Sequence, residues 1–271
     1  MAINDVTLAG GMRSNLVNLQ NVASLQSRTT QRLSTGKRVN SAIDDPSAFF
    51  AAQNHQNRAA DLAAKKDSMG EAINTVKAGL QGIDGITNLI QQAKGLAASA
   101  RSANTTDRAS LASQFDSLRT QIDQLAGDAG YKGTNFLATG SSLVVSFNEG
   151  GTASLTISGF DASTTGLSVG AAAGSGATDA NINTAVTALD TALNTLRANA
   201  KTLASNNGVV TTRQDFTTNM INTLTNGADM LTAADPNEES ASMLALQTRQ
   251  QLGVVALQLS SQAQQSILRL F

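Results

Sequence analysis

The chain has 271 residues, a formal net charge of −1, and neither cysteine nor tryptophan. Without cysteine, the protein can form neither a disulfide framework nor a thiolate metal site. Its charge lacks the cationic excess that phosphate binding requires, so we expect no nucleic-acid partner. No stretch is apolar enough to cross a bilayer and no continuous apolar run opens the chain, so we expect neither membrane insertion nor a cleaved secretory signal.

Residues 1–43 predict an N-terminal helix, from Val6 to about Leu33, followed by a connector. Apolar residues fall on two neighbouring stripes of this helix, and Gly36 suits the position just after its end. Between Val6 and Ile43 there are five cations and no acid. These cations either contact an anionic partner or pair with carboxylates of neighbouring helices, and their wide spacing favours pairing.

Residues 44–130 predict two helices of a rod. Asp44 and Asp45 precede Pro46, so that a carboxylate can cap the first turn and the missing N–H of proline costs nothing. We assign both carboxylates to capping rather than to acid–base chemistry. The helix that begins here runs to a polar break at residues 104–107, and a third helix follows the break.

The second helix has a seam of apolar residues that recurs every three or four positions: Met69, Ile73, Val76, Leu80, Ile83, Ile86, Ile90 and Ala93. Gly79, Gly82 and Gly85 lie inside it, and each costs roughly 1 kcal/mol relative to alanine in a helix interior. We therefore expect that another helix approaches closely there or that the helix bends. The third helix has a heptad stripe and two glycines that we expect to end it: Leu111, Phe115, Leu118, Ile122 and Leu125, then Gly127 and Gly130.

Residues 131–180 change period and predict a small β-hairpin turnaround. The β-prone runs 143–147 and 153–157 flank the sequence Asn-Glu-Gly-Gly, which suits a turn. Residues 181–233 then return to the helical period and predict a long rod helix with a coiled-coil seam. The seam comprises Ile182, Val186, Leu189, Leu193, Leu196, Ala200, Leu203, Val210, Ile221, Leu224, Ala228 and Leu231, with polar interruptions at Asn207, Gln214 and Thr217.

Residues 234–271 predict a C-terminal helix. Asp235, Pro236 and Glu238 suit a capping box with proline at the first helical position. The apolar stripe of this helix is Leu244, Leu252, Ala256, Leu259, Ala263, Ile267 and Leu270. Like the N-terminal helix, it is poor in acids, and its apolar burial cannot by itself offset the backbone entropy of ordering. We predict that the two terminal helices fold together or against other copies.

These patterns predict a mainly α fold, with a long antiparallel coiled-coil or helical-bundle rod, paired terminal helices and a small β-hairpin region at the turnaround. An enzyme is a poor alternative. His55 is the only histidine. The Thr-Gly-Lys sequence at residues 35–37 lacks the flanks of a phosphate loop, because Gln31 and Arg38 stand where that loop needs a glycine and a hydroxyl. We expect no catalytic residue, no cofactor and no metal.

Two distant motifs resemble those of one known family. Residues 32–47 read Arg-Leu-Ser-Thr-Gly-Lys-Arg-Val-Asn-Ser-Ala-Ile-Asp-Asp-Pro-Ser, which is similar to the signature before the long helix of bacterial flagellins. Residues 235–239 (Asp-Pro-Asn-Glu-Glu) and 262–271 (Gln-Ala-Gln-Gln-Ser-Ile-Leu-Arg-Leu-Phe) resemble the start and the end of the last flagellin helix. The resemblance covers roughly residues 1–135 and 180–271, and the motifs occur in the family's order.

The resemblance implies a structural subunit that assembles with other copies of itself into the extracellular filament of the bacterial flagellum, used for swimming. In flagellins the terminal helices pair to form an inner tube and the next helices form an outer shell. The central insert is short here, so we expect the large outer domains of many flagellins to be absent. The family also implies secretion by flagellar type III export, an export chaperone at the C-terminal helix, and filament cap and junction proteins as partners.

We expect copies to contact each other through the unpaired apolar side chains of both terminal helices. These are Leu16, Leu19, Val22, Leu252, Leu259, Ile267, Leu270 and Phe271. The connectors and helix caps are expected to use Arg32, Leu33, Gly36, Asp44, Asp45, Pro46, Asp235, Pro236 and Glu238. Subunits that complete their burial against neighbours make head-to-tail contacts, which generate a helical filament when the rotation does not close.

Two other interpretations stay open from the sequence. A hook–filament junction protein shares flagellin-like ends but would not polymerise indefinitely. A soluble coiled-coil adaptor would leave the two similar, acid-poor ends unexplained. The strength of both end motifs favours a flagellin. Sedimentation followed by electron microscopy distinguishes long tubes from short caps and from discrete oligomers.

The segment that the vertebrate innate flagellin receptor binds in this family is degenerate here. The family pattern Leu-Gln-Arg-x-Arg-Glu-Leu corresponds to Ile90, Gln91, Gln92, Ala93, Lys94, Gly95 and Leu96. Two guanidinium groups and one carboxylate are missing, and with them the charge-assisted hydrogen bonds that they would make. We predict weak or no receptor activation in a reporter-cell assay, and a response of full potency would refute this prediction.

Overall fold

The structure, a computed structural model, describes residues 10–173 and 178–268. In chain order its elements are α1 (Gly10–Thr35), α2 (Pro46–Ser102), α3 (Thr105–Asp128), β1 (Ser142–Ser146), β2 (Ser154–Ser158), α4 (Asp179–Thr232) and α5 (Pro236–Leu268). The predicted mainly α class with a small antiparallel hairpin is confirmed. The predicted start of the first helix at Val6 lies outside the described residues.

The chain divides into two compact units. The terminal unit contains residues 1–57 and 223–271, and the central unit contains residues 58–222. The division falls inside α2 and α4, so each of these long helices contributes residues to both units. The expected organisation in five segments follows helix boundaries instead, and it stays a prediction.

The core of the central unit is built from the seams of α2, α3 and α4. The buried members of these seams form one cluster, which includes Met69, Val76, Ile83, Ile86, Ile90, Phe115, Ile122, Leu189, Leu196, Leu203 and Val210. The helical period therefore identified the buried faces correctly, because residues three and four apart share one face of a helix. Each large side chain buried in this way stabilises the fold by about 2 kcal/mol relative to its exposed state.

Three polar residues interrupt the α4 seam at the predicted positions. Gln214 donates from Nε2 to the carbonyl of Lys66 on α2 at 3.2 Å. Thr217 is buried, and its hydroxyl donates to the carbonyl of Arg213 at 2.8 Å. Oδ1 of Asn207 is buried without a hydrogen-bond partner among the described residues. Polar seam residues weaken packing but favour a single register between helices.

Close packing explains two of the glycines inside α2. A Cβ atom on Gly82 would lie 2.6 Å from the Cβ of Ala129 and 2.6 Å from Cδ1 of Leu137. A Cβ atom on Gly85 would lie 2.7 Å from Cδ2 of Leu125 on α3. Carbon atoms do not approach so closely, and a packed interior has little room to relax. The predicted close approach of another helix is therefore observed at Gly85, whereas Gly82 is approached by residues that follow α3.

The hairpin contributes one of its faces to the core of the central unit. β1 pairs with β2 in antiparallel register, with Val144 opposite Thr156. Val145 and Ile157 are buried, whereas Val144 on the other face is exposed. The turn between the strands is held by Arg58 of α2, whose Nε donates to Oε1 of Glu149 at 2.6 Å. Both strands lie within one residue of their predicted runs.

The cap of α3 is not one of the two glycines that were predicted to end the helix. The helix continues through Gly127 to Asp128, and Ala129 follows as its cap. The N–H of Ala129 donates to the carbonyl of Leu125 at 3.2 Å, which closes the last turn without a left-handed glycine. Left-handed backbone occurs later, at Lys132 (φ 47°) and Gly133 (φ 80°). The helix therefore ends between the two predicted glycines, although neither of them is its cap.

We predict that Gly82→Ala destabilises the protein by about 1 to 3 kcal/mol, because the added methyl group overpacks the contact with Ala129. The matched control is Gly95→Ala on the same helix, where nothing lies within 4 Å of the added atom. That substitution should stabilise the protein by up to about 1 kcal/mol through helix propensity alone. Urea unfolding of the monomer, followed by far-UV circular dichroism, measures both. Equal effects of the two substitutions would contradict the packing argument.

Candidate assembly interface

In the terminal unit, α1 and α5 pack against each other as an antiparallel pair. Near the far end of the pair, a Cβ on Gly253 would lie 2.9 Å from Cδ2 of Leu19. Near the connectors, Arg32 contacts Glu239. The residue on α1 with the higher number thus contacts the residue on α5 with the lower number, so the two helices run antiparallel. The predicted pairing of the terminal helices is confirmed.

Arg32 and Glu239 form the best-defined polar contact of this pair. Nη1 of Arg32 donates to Oε1 of Glu239 at 2.9 Å, and Glu239 is only 8% exposed. Arg32 lies in the last turn of α1 and Glu239 in the first turn of α5, where the helix dipoles favour a cation and an anion respectively. Nε of Arg32 is buried without a hydrogen-bond partner among the described residues. Breaking the pair would leave a second polar group unpaired, which costs more than the pair itself contributes.

Sequence reasoning identified Arg32 but did not single out Glu239, and it named the neighbouring Glu238 for the capping box of α5. Glu238 is exposed, and its N–H donates to Oδ1 of Asp235 at 3.4 Å. The signal for Glu239 was its heptad spacing from Leu246 and Gly253, two residues of the face that packs on α1. The expectation that N-terminal cations pair with carboxylates of neighbouring helices is confirmed for Arg32.

The face of α5 that packs on α1 is not the apolar stripe predicted from the sequence. The residues of α5 from position 239 onward that are buried or half-buried recur at steps of three or four, with one immediate neighbour at each end: Glu239, Ser242, Met243, Leu246, Gln250, Gly253, Leu257, Ser260 and Ser261. This row contains few large apolar residues, so hydrophobicity alone does not reveal it. The glycine lets α1 approach closely, since its missing Cβ makes room for Leu19.

The predicted stripe of α5 remains exposed in the single chain. Leu244 is 66% exposed, Leu252 is 64% exposed and Leu259 is 68% exposed. On α1, Leu16 is 41% exposed, while Leu19 and Val22 are half-buried, and Leu19 lies against Gly253 of α5. The side chain of Ile267 and all of Leu270 and Phe271 lie outside the described residues. Exposed apolar patches of this extent are typical of surfaces that bind a partner.

The two connectors of the terminal unit pair through their main chains. The N–H of Arg38 donates to the carbonyl of Thr232 at 2.7 Å, and the N–H of Ala234 donates to the carbonyl of Gly36 at 2.9 Å. Val39 and Thr232 are buried at this crossing. Gly36 has a φ of 66°, as its predicted position after α1 requires. Leu33, the last apolar residue of α1, is half-buried.

The predicted carboxylate caps are present at both helix starts. Oδ1 of Asp45 accepts the N–H of Ala48 at 3.0 Å, one turn into α2. Oδ1 of Asp235 accepts the N–H of Asn237 at 2.8 Å at the start of α5. Pro46 and Pro236 are the first residues of their helices. Each cap satisfies an N–H group that the helix itself cannot pair.

Asp44 has a different role from Asp45. Its Oδ2 accepts the N–H of Asn40 at 3.1 Å and both the N–H and the hydroxyl of Ser41, at 3.0 and 3.2 Å. These hydrogen bonds, led by the N–H of Asn40, lower the pKa of the Asp44 carboxyl below its usual value. The ionised carboxylate therefore fixes the connector turn that carries Ile43.

The degenerate receptor segment lies in the central unit, on α2. Ile90 is buried in the core and Leu96 is half-buried, while Gln91 and Gln92 are exposed. Nζ of Lys94 donates to Oδ1 of Asp190 on α4 at 2.5 Å. The one cation of the segment is thus already engaged within the chain.

The described residues hold no group of three or more histidine, aspartate and glutamate side chains that could bind a metal ion. None of their helices has both the length and the hydropathy needed to cross a bilayer. His55 is half-buried on α2.

The sequence of the chain is similar to known proteins over its whole length. A family model described as the bacterial flagellin N-terminal helical region matches residues 3–142. The chain is 34% identical to Flagellin FljM of Caulobacter vibrioides, with 100% of both chains covered, and 30% identical to the Flagellin of Brucella melitensis, with 95% of this chain and 96% of the relative covered. A crystal structure of Bacillus cereus flagellin is 21% identical, with a TM-score of 0.49, and covers 55% of this chain and 88% of that one.

We predict that the Asp44 turn stabilises the protein only where its carboxylate is ionised. Because the folded-state pKa is lowered, the contribution is present above the unfolded pKa of about 4 and is lost as pH falls through the folded-state value. Asp44→Asn should lower the melting temperature of the monomer at pH 6, and the difference from the unsubstituted protein should shrink as the pH is lowered below 4. Thermal unfolding by circular dichroism measures this, with Asp61→Asn as a control for loss of one exposed negative charge. A difference that stays constant over this pH range would show that the carboxylate is not the cause.

Proposed function

Because the chain belongs to the bacterial flagellin family and is a structural subunit of the extracellular flagellar filament, we propose that copies contact each other through the apolar side chains that α1 and α5 leave exposed. We name this surface the assembly face and define it as Leu16, Leu244, Leu252, Val255 and Leu259. We add Ile267, Leu270 and Phe271 from the sequence. The exposure of Leu252 and Leu259 in a helix whose opposite side already packs on α1 is the observation that carries the proposal.

The energetics of the assembly face support this role. Burying one large aliphatic side chain is favourable by about 2 kcal/mol. The five exposed members therefore supply a substantial driving force for association when neighbours cover them. The charge pattern also suits close packing, because α1 contains no acid and α5 contains none after Glu239. Little charged surface would have to be desolvated.

The arrangement favours a filament over a closed oligomer. We infer that the assembly face of one copy meets a different surface on its neighbour, because such head-to-tail contacts propagate, unless the rotation closes a ring, and so build a filament. The relatives that match over the whole chain are named flagellins, and no observation favours the hook–filament junction alternative. Long polymers are therefore the expected product.

We also propose the assembly face as the site of accessory partners. An export chaperone that binds α5 before assembly would cover the same side chains and so prevent premature association. Filament cap and junction proteins would meet the face at the two ends of the filament, where no further copy covers it. What supports these partners is the exposed apolar surface of α5 together with the family to which the chain belongs.

We predict that the double substitution Leu252→Asn and Leu259→Asn raises the critical concentration for polymerisation at least tenfold, because about 2 kcal/mol of burial per side chain is lost at each contact. The matched control, Leu252→Met with Leu259→Met, keeps apolar volume and should polymerise within about threefold of the unsubstituted protein. Seeded polymerisation followed by sedimentation measures the critical concentration. Both variants should keep the helix content of the monomer. An unchanged critical concentration in the asparagine variant would sink the proposed contact surface.

A further inference from the structure

Gly253 is the only glycine of α5, and it lies in the interior of that helix. Glycine is unfavourable there, because it loses more backbone freedom on folding than any other residue. Its presence therefore calls for a packing reason. On α1, Cδ2 of Leu19 lies 2.9 Å and Cγ of Leu19 lies 3.1 Å from the position that a Cβ on Gly253 would take. Leu19 thus occupies the space of the missing side chain.

The contact between Leu19 and Gly253 has little room to relax. Rotation about the Cβ–Cγ bond of Leu19 moves both Cδ atoms but leaves Cγ in place. A side chain at position 253 would therefore push the two helices apart or move Leu19 out of the pair. Every other residue of α5 carries a Cβ, so α5 offers this space at one position only.

The Arg32–Glu239 pair does not by itself select the side of α5 that faces α1. Successive residues of a helix point about 100° apart. If α5 turned about its axis by one residue, Glu238 would take the place of Glu239, and a carboxylate would still face Arg32. The connectors cross before α5 starts, so their hydrogen bonds limit sliding of the helices more than turning.

The same turn would change the contact at Leu19. It would bring Leu252 to the place of Gly253, and it would carry Leu259 towards α1 as well. Both leucines are more than 60% exposed in the observed arrangement, so covering them is favoured by the hydrophobic effect. The turned arrangement therefore competes with the observed one. Its disadvantage is that Leu19 would meet a leucine side chain where it now meets a glycine.

We propose that Gly253 is a positioning residue for filament assembly. By accepting Leu19 it selects the side of α5 that α1 covers, and it keeps Leu252 and Leu259 available to other copies. The inference rests on the proposed function, because it explains how the assembly face stays exposed. In the turned arrangement the chain would cover these leucines with its own α1, and the folded monomer would assemble poorly.

Substitution of Gly253 tests the proposal. Gly253→Leu should raise the critical concentration for seeded polymerisation at least tenfold. The helix content of the monomer should stay the same or rise, because leucine favours a helix more than glycine does. Adding Leu19→Ala should restore the critical concentration to within about threefold of the unsubstituted protein, since the large side chain and the space for it have then changed sides. The control Gly11→Ala on α1 should polymerise normally, because nothing lies within 4 Å of the added atom.

Two results of this experiment would overturn the proposal. One is an unchanged critical concentration in Gly253→Leu. The other is a rise that Leu19→Ala does not relieve, because position 253 would then act through a contact other than Leu19. Either result leaves the assembly face standing, since the asparagine variant of Leu252 and Leu259 tests that surface separately.

An introduced disulfide reads the selected side of α5 without any polymerisation, because the chain has no native cysteine to compete. In Leu19→Cys with Gly253→Cys, the sulfur at position 19 takes roughly the place of Cγ, which lies 3.1 Å from a Cβ at position 253. A sulfur and the Cβ of the partner residue are about 3 Å apart across a disulfide. Mild oxidation of the dilute monomer should close this bond faster than the bond in the matched pair Leu19→Cys with Leu252→Cys.

The oxidised form of the first pair should polymerise with a critical concentration within about threefold of its reduced form, because the bond holds the side of α5 that the filament uses. Faster closure of the pair with Leu252→Cys would show that Gly253 does not select the covered side, whether or not the assembly face is correct. A locked first pair that polymerises only after reduction would also contradict the proposal, because α5 would then have to leave α1 in the filament.

Discussion

The pairing of α1 with α5 starts from one crossing, where residues 36–39 meet residues 232–234 through main-chain hydrogen bonds. The segments lie 193 residues apart where Arg38 donates to the carbonyl of Leu231. The Arg32–Glu239 pair is the next contact along the two helices, one turn beyond the crossing on α1. The crossing holds the end of α1 beside the start of α5. It therefore sets the register in which the two helices pair.

This constraint determines which surface remains for other copies. The row of α5 that meets α1 contains Glu239, Leu246 and Gly253, and it leaves other leucines of the helix exposed on the other side. Packing within the chain thus uses a row that mixes small, polar and apolar residues, while Leu244, Leu252 and Leu259 stay exposed. An isolated subunit is in this sense incomplete, and association is the way in which its apolar area leaves water.

The sequence predicted the elements well where their signal is local. The seams of α2, α3 and α4, the caps at Asp45 and Asp235, and the turn at Gly36 all follow from helical periodicity or from the chemistry of helix ends. The hairpin followed from its alternation and its Asn-Glu-Gly-Gly turn. Periodicity, however, does not identify the partner of a face. On α5 two faces recur at heptad spacing, and only the contact with α1 shows that the less hydrophobic one is covered.

In the candidate assembly interface, too, the apolar stripes were predictable from the sequence and the contacts between distant segments were not. The residues proposed for contacts between copies were chosen for their apolar stripes, and Leu252 and Leu259 are exposed on such a stripe. Glu239 was missed because a carboxylate in the first turn of a helix is ordinarily assigned to the helix dipole. Its pairing with Arg32 depends on a contact between segments that are distant in sequence.

An image reconstruction of assembled filaments, at a resolution that shows side chains, tests the central claim most directly. The claim is that the outward stripe of α5 is completed by other copies. The account predicts that Leu252 and Leu259 are buried against neighbouring subunits, while the row through Leu246 still packs on α1 of the same chain. A filament in which these two leucines face solvent, or in which α5 exchanges α1 for another partner, would contradict it.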